Sequence, residues 1–165
     1  MQVGAGMLGQ CFDDGNVMEK PYRPCVVAVI RNDKGQLLAG ERADQPGSWQ
    51  LPQGGIDEGE TATVAVMREL HEEIGSSALT VKSHHTEWIR YQFPAEFANG
   101  RMAKWAGQEQ QWFLLEFKPG EEAHLELSEG EFQALKWVSP RDLLEGIVYW
   151  KKEAYTIGLA AFGLL

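Results

Sequence analysis

The segment Glu60–Ile74 constrains the fold of this chain more than any other stretch. It is rich in good helix formers and contains neither proline nor glycine before Gly75. Val66, Met67, Leu70 and Ile74 form one apolar stripe, so a helix here must lie on a hydrophobic layer. Thr61 falls near its start, and Gly75 is suited to end it. Glu69, Glu72 and Glu73 share a second face, about 100° wide and more than a quarter turn from the centre of the stripe. Like charges at such spacing cost about 0.2–0.5 kcal/mol per pair, and the helix dipole disfavours anions in the last turn. A solvated acidic face is the ordinary explanation for a charged helix, yet a surface helix would place Lys or Arg here. A bound divalent cation turns the repulsion into coordination. Hard oxygen ligands, partly solvated, suit Mg²⁺ or Mn²⁺, ions that bind together with phosphate substrates.

The remaining pattern alternates strands and helices. Val26–Arg31, a turn at Asn32–Gly35 and a return over Gln36–Ala39 read as a hairpin. QPGSWQLPQGG is a turn-dense loop with room for one short strand. Further strands are predicted at Leu79–Lys82, Glu87–Gln92, Gln111–Phe117 and Ala134–Val138. Ser139, Pro140 and Asp142 mark a helix start, and Tyr149–Leu165 reads as a final helix. The order strands, helix, strands, helix predicts an α/β chain with a mixed sheet flanked by helices.

A length of 165 residues suits one domain with a real core, here residues 20–165, preceded by a Gly-rich flexible arm at 1–19. No apolar run approaches the roughly 20 residues of a membrane helix. The first residues combine acids with no arginine, unlike a secretory or transit peptide. Two cysteines, Cys11 and Cys25, make no disulfide framework, so a reduced, cytoplasmic protein is expected. The net charge of −9 disfavours a broad basic coat for nucleic acid, and no DNA partner is expected, but it permits a grip on the end of a strand. His71, His84, His85 and His124 show no ligand spacing with the cysteines, which argues against zinc.

The loop before the helix adds detail. Gly54 and Gly55 let backbone amides approach a ligand closely, and Gly59 permits a tight turn. Arg68 is placed to brace a loop carboxylate such as Glu60, although spacing alone equally allows an ordinary surface arginine. Gly54, five residues, Glu60, seven residues, then RELHEEIG over 68–75 resembles the Nudix box; Ser76 departs from it, where an apolar residue is usual. Beyond the box, YRPCVVAVI, SWQLPQGGIDEGE, WIRYQFP, GQEQQWFLL, EFQALKWVSP and WKKEAY resemble one Nudix branch, from about Tyr22 to Tyr155. That branch holds bacterial RNA pyrophosphohydrolases and asymmetric diadenosine tetraphosphate hydrolases.

The resemblance implies an α/β/α sandwich and metal-dependent attack of water on a phosphoanhydride. It implies Glu69, Glu72, Glu73, Glu131 and Gly54 as ligands of Mg²⁺ or Mn²⁺, with Glu60 and Arg68 structural within the motif. Glu72 or Glu73 would orient or deprotonate the water, and Glu131 would be a further ligand or base, its alternative being a plain loop glutamate. Substrate contacts are implied for Arg23, Arg42, Ser48, Tyr91, Trp150, Lys151 and Tyr155, with Trp150 able to stack on a base. Core packing is the favoured alternative for Trp112 and Trp137, and bracing of the loop for Trp49. Gln111 stands where the branch often has Lys, which implies one cation fewer near the phosphates; Lys104 is placed to compensate. The substrate would be a 5′-triphosphorylated RNA end or diadenosine tetraphosphate, and a monomer is expected. A non-catalytic nucleotide sensor is the alternative, disfavoured because all three box carboxylates are present.

Overall fold

The computed structural model describes residues 19–97, 100–127 and 131–165, so the proposed arm lies outside the described residues except for Glu19. Cys11 and the side chain of His124 lie outside them too. The chain runs β1 (Tyr22–Ile30), β2 (Leu37–Arg42), β3 (Trp49–Gln50), β4 (Gln53–Gly55), α1 (Ala62–Ile74) and β5 (Leu79–Gln92). It continues through β6 (Gly107–Phe117), β7 (Phe132–Val138), α2 (Pro140–Gly146) and α3 (Lys152–Ala161). Short 3₁₀ turns cover Gly100–Lys104 and Tyr149–Lys151.

One sheet has the order β4-β1-β6-β5, with β1 parallel to β6 and the other pairs antiparallel; a second has the order β3-β2-β7. The four-stranded sheet is the middle layer of an α/β/α sandwich, because alternate residues of its central strands point to opposite faces. Val26, Ala28, Ile30, Phe113 and Leu115 pack on Val66, Leu70 and Ile74 of α1. Val27, Val29, Trp112 and Leu114 pack on Leu143 of α2 and on Tyr155 and Leu159 of α3.

Several boundaries correct the sequence reading. The predicted hairpin has its turn, with Asn32 Oδ1 accepting from the N–H groups of Lys34 and Gln36 and Gly35 at φ 79°. Its strands then part into different sheets, joined only at Arg31 and Leu37. β1 is central: β6 takes one edge along its whole length, and β4 takes Cys25–Val27 of the other. The two strands predicted around Ser83–Thr86 are one, β5, in which bulges at Val81/Ser83 and His85/Ile89 absorb extra residues against β6. β6 begins at Gly107, the 50s loop holds two short strands, and the final helix is preceded by a 3₁₀ turn.

α1 starts two residues after the predicted position, with Thr61 as N-cap accepting from Val64 N–H, and ends at Gly75 in the left-handed region. Ser76, the departure from the motif, is buried and accepts from Ala78 N–H, closing the chain after the helix. Ser139 caps α2 through Asp142 N–H.

Gly158 of α3 faces the ring of Trp112 so closely that a methyl group would overlap it. In an open helix Gly→Ala gains up to about 1 kcal/mol. Here overpacking costs about 1–3 kcal/mol, so Gly158→Ala is predicted to unfold at lower urea concentration. A gain in stability would mean that α3 does not seat on Trp112.

Candidate active site

β4 is the floor on which the acidic helix rests. Successive strand residues face opposite ways, and both glycines of β4 are needed for that reason. A methyl at Gly54 would overlap the Glu69 carboxylate, and one at Gly55 would meet the Arg23 guanidinium. One strand can therefore carry an anion on one side and a cation on the other. One residue earlier, the Gln53 N–H donates to Glu73 Oε1 at 3.1 Å.

The acidic face is not the solvated surface that helical spacing alone suggests. Glu73 is only 2% exposed and Glu69 is largely covered, whereas Glu72 is open. Burial, reinforced by the charges of Glu69, Glu131 and Glu72, pushes the Glu73 carboxyl up to about 9. Burial also raises Glu69, opposed by its hydrogen bond to Arg68. Arg68 Nε and Nη2 donate to both oxygens of Glu60 at 2.7 and 2.9 Å. Nη2 also donates to the Gly55 carbonyl, and Nη1 to Glu69 at 2.9 Å and Glu72 at 3.5 Å. This network holds the Glu60 carboxyl down to about 2, and it places Glu60 and Arg68 together as the spacing allowed.

A divalent cation fits this donor set. Glu73 is a buried carboxylate, and among the described residues no Lys, Arg or His pairs with it. Glu69 and Gly54 lie beside it, and Glu72 and Glu131 are near enough to act on its charge. Among the described residues, no three of His, Cys, Asp or Glu form a ready-made cage. Glu69 and Glu72 lean on Arg68, and Glu131 comes from the segment before β7. An open set of carboxylates that leaves positions for water and phosphate oxygens is the habit of Mg²⁺.

Above this floor lies a groove of about 860 Å³ lined by Arg23, Arg42, Lys104, Asp44, Glu131, Gln50 and Gln53, and by Gly100, Met102, Ala103 and Trp105. Among the described residues, three cations and two carboxylates line it, a locally positive balance in a chain of net charge −9. Arg42 is held by a two-pronged contact with Asp44, at 2.9 and 2.7 Å.

The inferred substrate residues divide. Arg23, Arg42, Lys104 and Glu131 line the groove. Ser48 does not; its carbonyl accepts from Arg42 N–H, so it shapes the turn that carries Arg42. Tyr91 lies in the core, edge-on to Phe93. Tyr155 is buried against Trp112, and its hydroxyl accepts from Leu51 N–H. Trp150 is half-buried against the core and edge-on to Tyr149 rather than lining the groove. Lys151 is buried, and its Nζ donates to Gln50 Oε1 at 3.0 Å. Residue type and chain position do not say which side of a layer a side chain takes, and here the layer is filled by packing.

Gln111 also lies away from the groove, meeting His84 Nε2 at 2.7 Å on the β5–β6 surface, so its identity takes no cation from the groove. Trp112 is fully buried, Trp137 packs edge-on to Phe117, and Trp49 lies under Lys136 Nζ at 4.0 Å. Asp44, Gln50, Gln53, Met102 and Trp105 line the groove without having been singled out by sequence. Only Asp44, two residues after Arg42, carried a charge signal.

A model of the NUDIX domain matches residues 21–156. An RNA pyrophosphohydrolase of Wolbachia pipientis subsp. Culex pipiens is 39% identical over 144 residues, covering 83% of this chain and 86% of that protein. Nudix hydrolase 26, chloroplastic, of Arabidopsis thaliana is 38% identical over 156 residues, covering 88% and 72%. Among solved structures, the E. coli dihydroneopterin triphosphate pyrophosphohydrolase superposes with a TM-score of 0.63 at 21% identity, covering 86% and 99%. A C. elegans Ap4A hydrolase binary complex superposes with a TM-score of 0.61 at 23% identity, covering 85% and 96%. These two likenesses concern the fold.

Lys151 gives a signed prediction. Burial, and then the charge of Arg42, lowers its ammonium from 10.5 to about 8. Below pH 8 it is protonated in folded and unfolded chains alike, and the cost of burying the charge is fully present. Between about 8 and 10.5 the unfolded chain binds more protons, so this cost is released as pH rises. The stability of wild type relative to Lys151→Met is therefore predicted to improve by roughly 3 kcal/mol from pH 7 to 10.5. Parallel urea-melt curves for the two proteins across that range would contradict the burial of the amine.

Proposed function

The chain belongs to the Nudix hydrolase family, and from that premise we propose a pyrophosphohydrolase that uses Mg²⁺ or Mn²⁺ to cleave nucleoside-capped polyphosphate chains. The observation that carries this reading is the docking of Glu69 and Glu73 against Gly54 and Gln53 beneath a cationic groove. A polyphosphate is drawn to Arg23, Arg42 and Lys104 while carboxylates wait at the floor. Glu69 and Glu73, with Glu72 and Glu131 in reach, would hold a divalent ion, whose charge would neutralise the phosphate oxygens when bound.

The chain's own residues do the rest. The groove cations orient the polyphosphate for in-line attack, and Arg68 fixes the helix against the loop. In this reading Glu72 or Glu73 orients the attacking water and takes its proton. Two substrates fit this chemistry. One is the 5′-triphosphate end of RNA, releasing pyrophosphate; the other is diadenosine tetraphosphate, giving ATP and AMP. The names of the relatives near 38% identity support the first. A groove open to solvent accommodates either, since only the end of an RNA need enter.

The test sets 5′-triphosphorylated RNA beside diadenosine tetraphosphate at equal concentration with Mg²⁺ or Mn²⁺, identifying the products. Cleavage of either supports the proposal, and the preferred substrate assigns the role. Nucleotide binding without turnover would move the sensor reading to the front. In the same assay Glu73→Gln is predicted to fold normally and lose at least about a hundredfold in activity. Near-full activity in that variant would sink the assignment of the helix carboxylates.

A further inference from the structure

The polar pair beneath the groove, Gln50 and Lys151, is not explained by packing. Gln50 lies on β3 beside Gly40 of β2 and is only 6% exposed, yet it lines the groove. Its Oε1 accepts from Lys151 Nζ at 3.0 Å. An ammonium only donates, so the amide must turn its oxygen toward Lys151 and its NH₂ away. Among the described residues that NH₂ has no hydrogen-bond partner. A covered donor pair left open at a cleft wall is free to meet an acceptor in the groove, water at rest or a ligand oxygen when one is bound.

We infer that Gln50 is a phosphate-contacting residue, donating from Nε2 to an anionic oxygen of the substrate, and that Lys151 is the positioning residue that fixes its orientation. This rests on the reading that the groove takes a nucleoside polyphosphate. It replaces a direct lysine–phosphate contact, because Lys151 is only 6% exposed and its amine is spent on Gln50. The burial that depresses the affinity of Lys151 for its proton fits the arrangement, since at neutral pH the amine is still charged and can only donate. A neutral amide at this point adds a directed donor among Arg23, Arg42 and Lys104 without adding another cation to the cleft.

The test is a double-variant cycle on the full chain, titrating a methylene-bridged ATP analogue with Mg²⁺ present, so that no turnover is needed. Gln50→Met should weaken binding roughly tenfold to a hundredfold, as expected for a lost hydrogen bond to a charged group. Lys151→Met should also weaken it, and the double variant should be no worse than Gln50→Met alone. Gln50→Glu keeps the acceptor for Lys151 but turns an anionic oxygen toward the phosphate, so it should bind more weakly than wild type. It covers the case in which Gln50→Met fails to fold. Multiplying losses in the double variant would mean that Lys151 reaches the phosphate itself, and unchanged binding in Gln50→Met or Gln50→Glu would remove Gln50 from the site. Either result overturns the inference, as does failure of wild type to bind the analogue. Wild type that binds but hydrolyses neither RNA ends nor the dinucleotide would defeat the functional reading while leaving the cycle decisive for Gln50.

Discussion

The fork of hydrogen bonds from Arg68 is the constraint on which the rest of the site depends. A guanidinium presents donors in a rigid plane, and here they reach both oxygens of Glu60, the carbonyl of Gly55, and the carboxylates of Glu69 and Glu72. The loop from Gly54 to Glu60 is thereby tied to the second half of α1. Gly59, at φ 82°, makes the bend that brings Glu60 back to Arg68. With the loop fixed, β4 lies against the helix, Gly54 accommodates Glu69, and Gln53 offers its N–H to Glu73. The same arginine offsets the repulsion among carboxylates that the helix dipole would otherwise aggravate.

Two buried ionisable groups, Glu73 and Lys151, mark where stability has been given up. Glu73, at the floor, is covered by the β4 loop and meets no protein cation among the described residues. Lys151, under the groove wall, meets an amide instead of a carboxylate. Neither is what a core selected for stability alone would hold, since an apolar side chain of similar volume avoids the desolvation cost. Perturbed groups of this kind collect at functional sites, and here each is hydrogen-bonded to a residue that lines the groove, Glu73 to Gln53 and Lys151 to Gln50. The cations of that cleft are few, but they are gathered in one place on a chain whose overall charge is negative.

Much of this was legible in the sequence because it is periodic or charged. The apolar stripe of α1, its caps at Thr61 and Gly75, and the spacing of Gly54, Glu60 and Arg68 all rest on local rules that survive folding. What depends on layers was not legible. β1 and β2 share a turn but not a sheet, because the neighbours of β1 come from residues 53–55 and 107–115. Tyr155 and Tyr91 look like polar contacts in one dimension and are core rings in three. Gln50 and Gln53 carry no charge signal, so only their place in the groove singles them out. The bulges of β5 follow from register against β6, which no single strand encodes.

The most direct measurement is Mn²⁺ binding, followed by the loss of the free-ion paramagnetic resonance signal, in wild type and in Glu69→Gln and Glu73→Gln without nucleotide. The account predicts that wild type depletes the signal and that either substitution weakens binding at least about tenfold while the protein stays folded. Equal depletion by all three proteins would place the ion elsewhere and contradict the central claim that the acidic face of α1 is a metal site.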